Sequence, residues 1–114
     1  MNKLTILFGV LIFLFVSCDS GPKRTAPTIL LSESQMVDVM TDVQIMEATI
    51  SYKKNVNQKT AYLKTTGYDT LFAHYGITDS IFRENVKYYN DVEPQTLVKI
   101  MEAVEARIAK MSNQ

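Results

Sequence analysis

The chain has 114 residues, 46% of them hydrophobic, with 12 Lys and Arg against 12 Asp and Glu. That balance offers no basic field for nucleic acid or anionic lipid. The single cysteine, Cys18, excludes a disulfide-stapled core, and the length suits one small domain.

The chain opens with a positive charge at Lys3, followed from Leu4 to Val16 by a run that only Thr5 and Gly9 interrupt. Such a run fits the ~7–15 residues of a secretory h-region and falls short of the roughly 20 that a membrane-spanning helix needs. Val16-Ser17-Cys18 then has the aliphatic, small, cysteine order of a lipoprotein processing site, with Phe15 where leucine is usual. We expect a signal peptide over residues 1–17, cleavage between Ser17 and Cys18, and diacylglycerol and N-acyl lipid on Cys18, with no other cofactor. Two or three acyl chains anchor stably, since each buried methylene contributes ~0.8 kcal/mol. Residues 18–31 read as the lipidated cysteine and a tether, broken by Gly21, Pro22 and Pro27. Ile29-Leu30-Leu31 should end it by packing on a helical domain over 32–114.

Ser32-Glu33-Ser34-Gln35 reads as a capping box, with Leu31 and Met36 in the positions of a hydrophobic staple. The first helix should run to about Lys54, with Met36, Val39, Met40, Val43, Met46 and Ile50 on one stripe. Asn55, Asn57 and Gln58 suggest a turn. A second helix is expected from about Lys59 to Tyr75, weakened at Gly67 so that it starts late or bends there. Gly76 is a left-handed stop, with Ile77 placed to touch Phe72 in a Schellman motif.

Thr78 should cap a third helix reaching about Tyr89, with Ile77 and Phe82 as a second staple-type pair. Asn90-Asp91 reads as the next turn, and Pro94 fits the first position of a fourth helix. Val92 and Leu97 form a third such pair, and Leu97, Ile100, Met101, Val104, Ile108 and Met111 the last stripe. Strand signals are absent. The expected fold is all-α, a compact bundle of about four helices.

Glu47 is the oddest residue, because a 100° step along the first helix puts it about 20° from Met36, within the apolar stripe. A buried carboxylate is costly unless paired. It is either a structural acid bonded to a tyrosine hydroxyl, a lysine or a helix end, or a ligand-facing acid. One acid without a catalytic partner is no mechanism, so the structural reading is preferred. Asp38 and Asp42 lie one turn apart on the polar side of the same helix, where a solvated face is expected. With no alternating-carboxylate loop, no HExxH and no second histidine, no metal site is expected. His74 has no nucleophile arranged near it, so no catalytic residue is assigned. Residues 68–82 have the outline of a helix-turn-helix, but Arg83 and Lys87 are offset by Asp79 and Glu84, and no nucleic-acid partner is expected. Tyr88 and Tyr89 are adjacent and cannot both face the core of one helix. One of them is a candidate contact residue, since tyrosine suits interfaces.

Met36-Val37-Asp38-Val39-Met40-Thr41-Asp42-Val43-Gln44-Ile45-Met46-Glu47-Ala48, Tyr75-Gly76-Ile77-Thr78, Phe82 and Lys87-Tyr88-Tyr89 resemble the short bacterial lipoproteins of domain of unknown function 4296. A histidine is common in that family where this chain has Gln44, so no role of that imidazole carries over. The resemblance implies a helical, lipid-anchored envelope protein, usually of the outer membrane, and supplies no activity; the face is left open. Three expectations follow in order of preference. The first is a non-catalytic module that docks on another envelope protein through an exposed apolar or tyrosine patch. The second is a small-ligand domain using Glu47 and tyrosines, with Asp42 beside them. The third is a hydrolase-like enzyme with converging titratable groups.

Overall fold

The computed structural model describes residues 25–114. The leader, Phe15, and the Ser17–Cys18 processing and lipidation site lie outside the described residues. Four helices follow in chain order: α1 (Glu33–Asn55), a π-helical segment (Leu63–Gly67) that runs directly into α2 (Tyr68–His74), α3 (Asp79–Val92) and α4 (Pro94–Ser112). There is no strand among the described residues, and no helix among them is long and apolar enough to cross a membrane.

The start of α1 is fixed by the capping box. The Gln35 amide donates to the Ser32 hydroxyl at 3.2 Å, and the Ser32 amide to Gln35 Oε1 at 2.9 Å. Leu31 and Met36, on either side of the cap, are both buried in the core. At its far end α1 stops in a Schellman motif. Asn57 takes φ 57°, and the amides of Gln58 and Asn57 donate to the carbonyls of Lys53 at 2.8 Å and Lys54 at 3.0 Å. Asparagine is among the few residues that adopt this left-handed geometry readily.

The second helix departs from regular α geometry in its first half. Thr65-Thr66-Gly67 is a run of weak helix formers. The Thr65 hydroxyl donates back to the carbonyls of Ala61 at 3.3 Å and Tyr62 at 3.4 Å, competing with the main-chain ladder. The chain accommodates this as a π-helical turn, which replaces the bend expected at Gly67. The helix then ends as expected: Gly76 has φ 67°, and the amides of Ile77 and Gly76 close on the carbonyls of Phe72 and Ala73 at 3.1 and 3.0 Å. A Cβ at Gly76 would meet nothing within 4 Å, so only backbone conformation opposes a side chain there. Gly76→Ala is therefore expected to cost about 1–2 kcal/mol, with Gly76→Asn costing less, both read by urea denaturation.

The next junction differs from the sequence reading. Asn90 and Asp91 do not form a turn: α3 continues through them to Val92, and the break falls on Glu93 alone, at φ −129°, ψ 58°. The cause is Pro94, which disfavours α geometry in the residue before it and fits the first helical position itself. Glu93 serves both helices, donating its amide to Tyr89 at 3.1 Å and accepting from the Leu97 amide at 3.0 Å. Val92 is 42% exposed and stands outside the core, so the third staple-type pair is not a buried one.

Met36, Val39, Phe72, Ile77, Ile100 and Val104 form the centre of the core, with Tyr68, Leu71, Phe82 and Leu97 packed around it. α2 runs back along α1: Tyr75 reaches Asp42 and Tyr68 reaches Glu47. α4 runs with α1. Arg107 pairs with Asp38 at 2.5 Å, and Ile108 shares a groove with Gln44 and Ala48.

The N-terminal segment is held by a device that the sequence reading did not include. Asn85 on α3 is fully buried. Its carbonyl accepts the Leu31 amide at 2.8 Å, and its amino group donates to the carbonyls of Ile29 and Ile81 at 2.8 and 2.9 Å. Tyr89, one turn on, donates its hydroxyl to the Leu31 carbonyl at 2.5 Å. Only Leu31 of the three apolar tether residues is buried, while Ile29 and Leu30 are exposed. Residues 25–31 thus form a strap bonded to α3.

Candidate functional site

The residues singled out on α1 are drawn into contacts between helices. Glu47 lies on the apolar side of the helical projection but is exposed, which corrects the expectation of burial. A projection gives direction only, and here the facing element is the start of α2, which brings the Tyr68 hydroxyl rather than apolar surface. Tyr68 donates to Glu47 Oε1. Tyr75 makes the equivalent bond one level along, to Asp42 Oδ2 at 2.5 Å and more weakly to the Asp38 carbonyl at 3.3 Å. Asp38 and Asp42 are therefore not merely solvated: Asp38 ties α1 to α4, and Asp42 ties it to α2.

These phenol–carboxylate bonds have an electrostatic consequence. Burial first, and then the bonded carboxylate, pushes both phenols up to about 12, with Glu47 acting on Tyr68 and Asp42 on Tyr75. A free tyrosine ionises near ~10. Because the folded-state value is the higher one, these groups contribute stability below about pH 10 and lose it as the pH rises toward 12. The unfolding free energy should fall across that window. Tyr68→Phe and Tyr75→Phe should each flatten the fall, as followed by circular dichroism in urea at pH 9, 10.5 and 11.5.

Tyr88 and Tyr89 divide as their adjacency requires. Tyr89 is buried against the strap, and burial first, then Glu93, raises its pKa. It is not a surface contact residue. Tyr88 is half-buried, donates to Glu93 at 3.3 Å, and lines a shallow groove with strap residues Thr25 to Thr28.

The open surface lies elsewhere. A groove of about 670 Å³ runs between α1 and the second helix, walled by Ile45, Met46, Tyr62, Leu63 and Leu71, with Asp42 and His74 at one end. His74 stacks edge-on to Tyr75 at 5.1 Å. The π-helical turn supplies part of this wall. At Gly67 a Cβ would sit 3.4 Å from the Met46 methyl carbon and 3.5 Å from Leu63, in ordinary contact with the groove wall. A second groove of about 450 Å³ lies across the Ile45–Thr49 ridge, bounded by Gln44, Ala48, Tyr52 and Ile108. A third depression of about 530 Å³ is mixed in character, with Glu47, Lys64 and Arg83 around Tyr68, Phe72 and Phe82. No group of three or more His, Cys, Asp or Glu among the described residues could hold a metal ion.

Ile45, Tyr52 and Tyr62 are 40%, 67% and 55% exposed. Sequence reasoning missed them as surface residues, although Ile45, Thr49, Tyr52 and Val56 recur at the three- and four-residue spacing of a second stripe. It also missed the charge distribution hidden by overall neutrality: between Glu47 and Asp69 there are four lysines and no acidic residue.

Fold and site together define a small all-α module with a clamped N-terminal strap, a face of phenol–carboxylate bonds and open apolar grooves beside it. The chain belongs to the family described as Domain of unknown function (DUF4296), whose model matches residues 27–114. The match takes in Ile29 to Leu31 and so begins within the strap rather than at the Ser32 cap. No curated protein and no solved structure matches the chain.

Proposed function

We propose that the protein is a non-catalytic interaction module, held at the cell envelope by lipid on Cys18, that docks an apolar-faced helix of another envelope protein. The observation that carries the reading is the pair of apolar grooves flanking the ridge of exposed Ile45 and half-buried Thr49. A ridge continued by Tyr52 and Val56 extends for roughly 16 Å, about three helical turns. This is the footprint of helix-in-groove recognition, where anchors enter at three- and four-residue spacing. At the nearest polar end Asp42 is already bonded to Tyr75, which leaves the groove walls to select by shape and apolar contact. The short h-region and the Val16-Ser17-Cys18 order support the lipid anchor, and the resemblance to short bacterial lipoproteins implies an envelope address, usually the outer membrane.

The test is photo-crosslinking in intact cells from position 49, with adducts identified by mass spectrometry. One envelope protein should recur, Ile45→Asp should remove it, and Cys18→Ser should release the module from the membrane fraction and abolish metabolic lipid labelling. A specific observation favours a second reading: Glu47, Lys64 and Arg83 surround the aromatic floor of Phe72 and Phe82, which suits a small ligand bearing both charges. No reproducible protein adduct from position 49 would move the assignment to that ligand.

A further inference from the structure

The end of the bundle formed by the last turns of α1 and the start of the second helix has a composition unlike the rest of the surface. Lys53, Lys54, Lys59 and Lys64 all belong to it, and the stretch from Ala48 to Tyr68 contains no Asp or Glu. Lys54, Lys59 and Lys64 are exposed. Lys53 donates to Gln58 at 3.4 Å, and the ion pairs of the described residues, Arg83–Asp79 and Arg107–Asp38, lie elsewhere. Lys54 lowers the Lys64 pKa through a side-chain contact and then through its charge, while Glu47 on the neighbouring face acts in the opposite sense. The same stretch carries Tyr52, Val56 and Tyr62, at 67%, 45% and 55% exposure. The backbone carrying them is fixed, because the left-handed Asn57 closes the Schellman motif.

We infer that this lysine–tyrosine end is a contact surface for an anionic lipid headgroup layer. The residue types decide between occupants. Lysine is depleted at protein–protein interfaces, which argues against an acidic protein. At a bilayer surface, tyrosine rings seat at headgroup level and lysine stems lie along apolar surface while their ammonium groups meet phosphate. Anionic lipid attracts such clusters within a Debye length. The surface lies the length of α1, a helix of 23 residues, from the strap, roughly 35 Å away. Contact there gives the domain a second point of attachment and lays α1 along the membrane. The surface shares Tyr52 and Val56 with the proposed docking ridge and Tyr62 with its groove, but vesicles without a protein partner test the lipid contact apart from the groove reading.

The chain contains no tryptophan, so Val56→Trp is a single reporter at this end and Gln95→Trp, on the first turn of α4, a control. Each full chain is reconstituted in vesicles of phosphatidylcholine alone or with phosphatidylglycerol, with brominated acyl chains as quencher. Quenching at position 56 should be about threefold or more greater in the anionic vesicles and fall to the neutral level in high salt. It should also fall to that level when Lys53, Lys54, Lys59 and Lys64 are changed to Gln, while position 95 stays unchanged throughout. Equal quenching at position 56 in both lipids, or quenching that survives the glutamine changes, would overturn the inference. So would an emission shift produced by polyglutamate without bromolipid quenching, which would identify an acidic polypeptide as the occupant.

Discussion

Asn85→Ala is expected to lower the unfolding free energy by about 3 kcal/mol and to release residues 25–31 from α3. Asn85 is 0% exposed and holds three bonds at once, to the Leu31 amide and to the Ile29 and Ile81 carbonyls. Alanine leaves these groups without their partner, and a dry unmade group costs roughly 1–3 kcal/mol. The cost stops short of the full sum because the strap can lift and let water reach them. Lifting has its own signature, since Leu31 is 5% exposed and belongs to the core. Hydrogen exchange at the Leu31 amide should accelerate in step with the stability loss measured in urea. A loss below about 0.5 kcal/mol, the range of ordinary surface changes, would show that the strap does not contribute to the fold. A cycle with Tyr89→Phe should show coupling, because Tyr89 holds the carbonyl of the same residue whose amide Asn85 holds.

Ile100→Ala is expected to cost a similar amount, about 2–5 kcal/mol, by a different route. Ile100 is 1% exposed and sits on α4 among the side chains that join it to α1, with Met36 and Val104 fully buried beside it. Alanine removes apolar atoms and leaves a cavity that close-packed neighbours fill poorly. Val98, two residues earlier, is 56% exposed, and Val98→Ala should change stability by less than about 0.5 kcal/mol. The pair separates lost packing from any general weakness of α4, and urea midpoints at constant slope read both.

The elements most legible in the sequence were those that local chemistry determines. The Ser32–Gln35 box, Gly76 and Pro94 each act on their own backbone, so their roles could be read without a third dimension. The boundary at Asn90-Asp91 was misread because turn-forming residues only permit a turn, whereas Pro94 imposes the break one residue before itself. The π-helical segment was legible only as a weakness at Gly67, because the competing Thr65 bonds depend on rotamers. Asn85 was missed for a related reason: a polar residue among core positions gives no sign of the strap that arrives from 54 residues earlier to satisfy it. Of the candidate site, a tyrosine hydroxyl was one of three partners open for Glu47 and the exposure of Glu47 was not expected, because a helical projection holds no information on what covers a face. The outer stripe through Ile45 and Tyr52 was present in the spacing but overshadowed by the stronger inner one.

The strap also settles how the domain would bear a pull. Tension applied at Thr25 does not reach the first turn of α1 directly. It meets Asn85 and Tyr89 first, through bonds to Ile29 and Leu31, and passes into α3 and, through Glu93, into α4. The Ser32 cap stays unloaded until those bonds part. Residues 25–31 therefore act as a strain relief, like the clamp on a cable, and the force enters the core through Leu31, Asn85 and Tyr89 rather than through the first turn of α1.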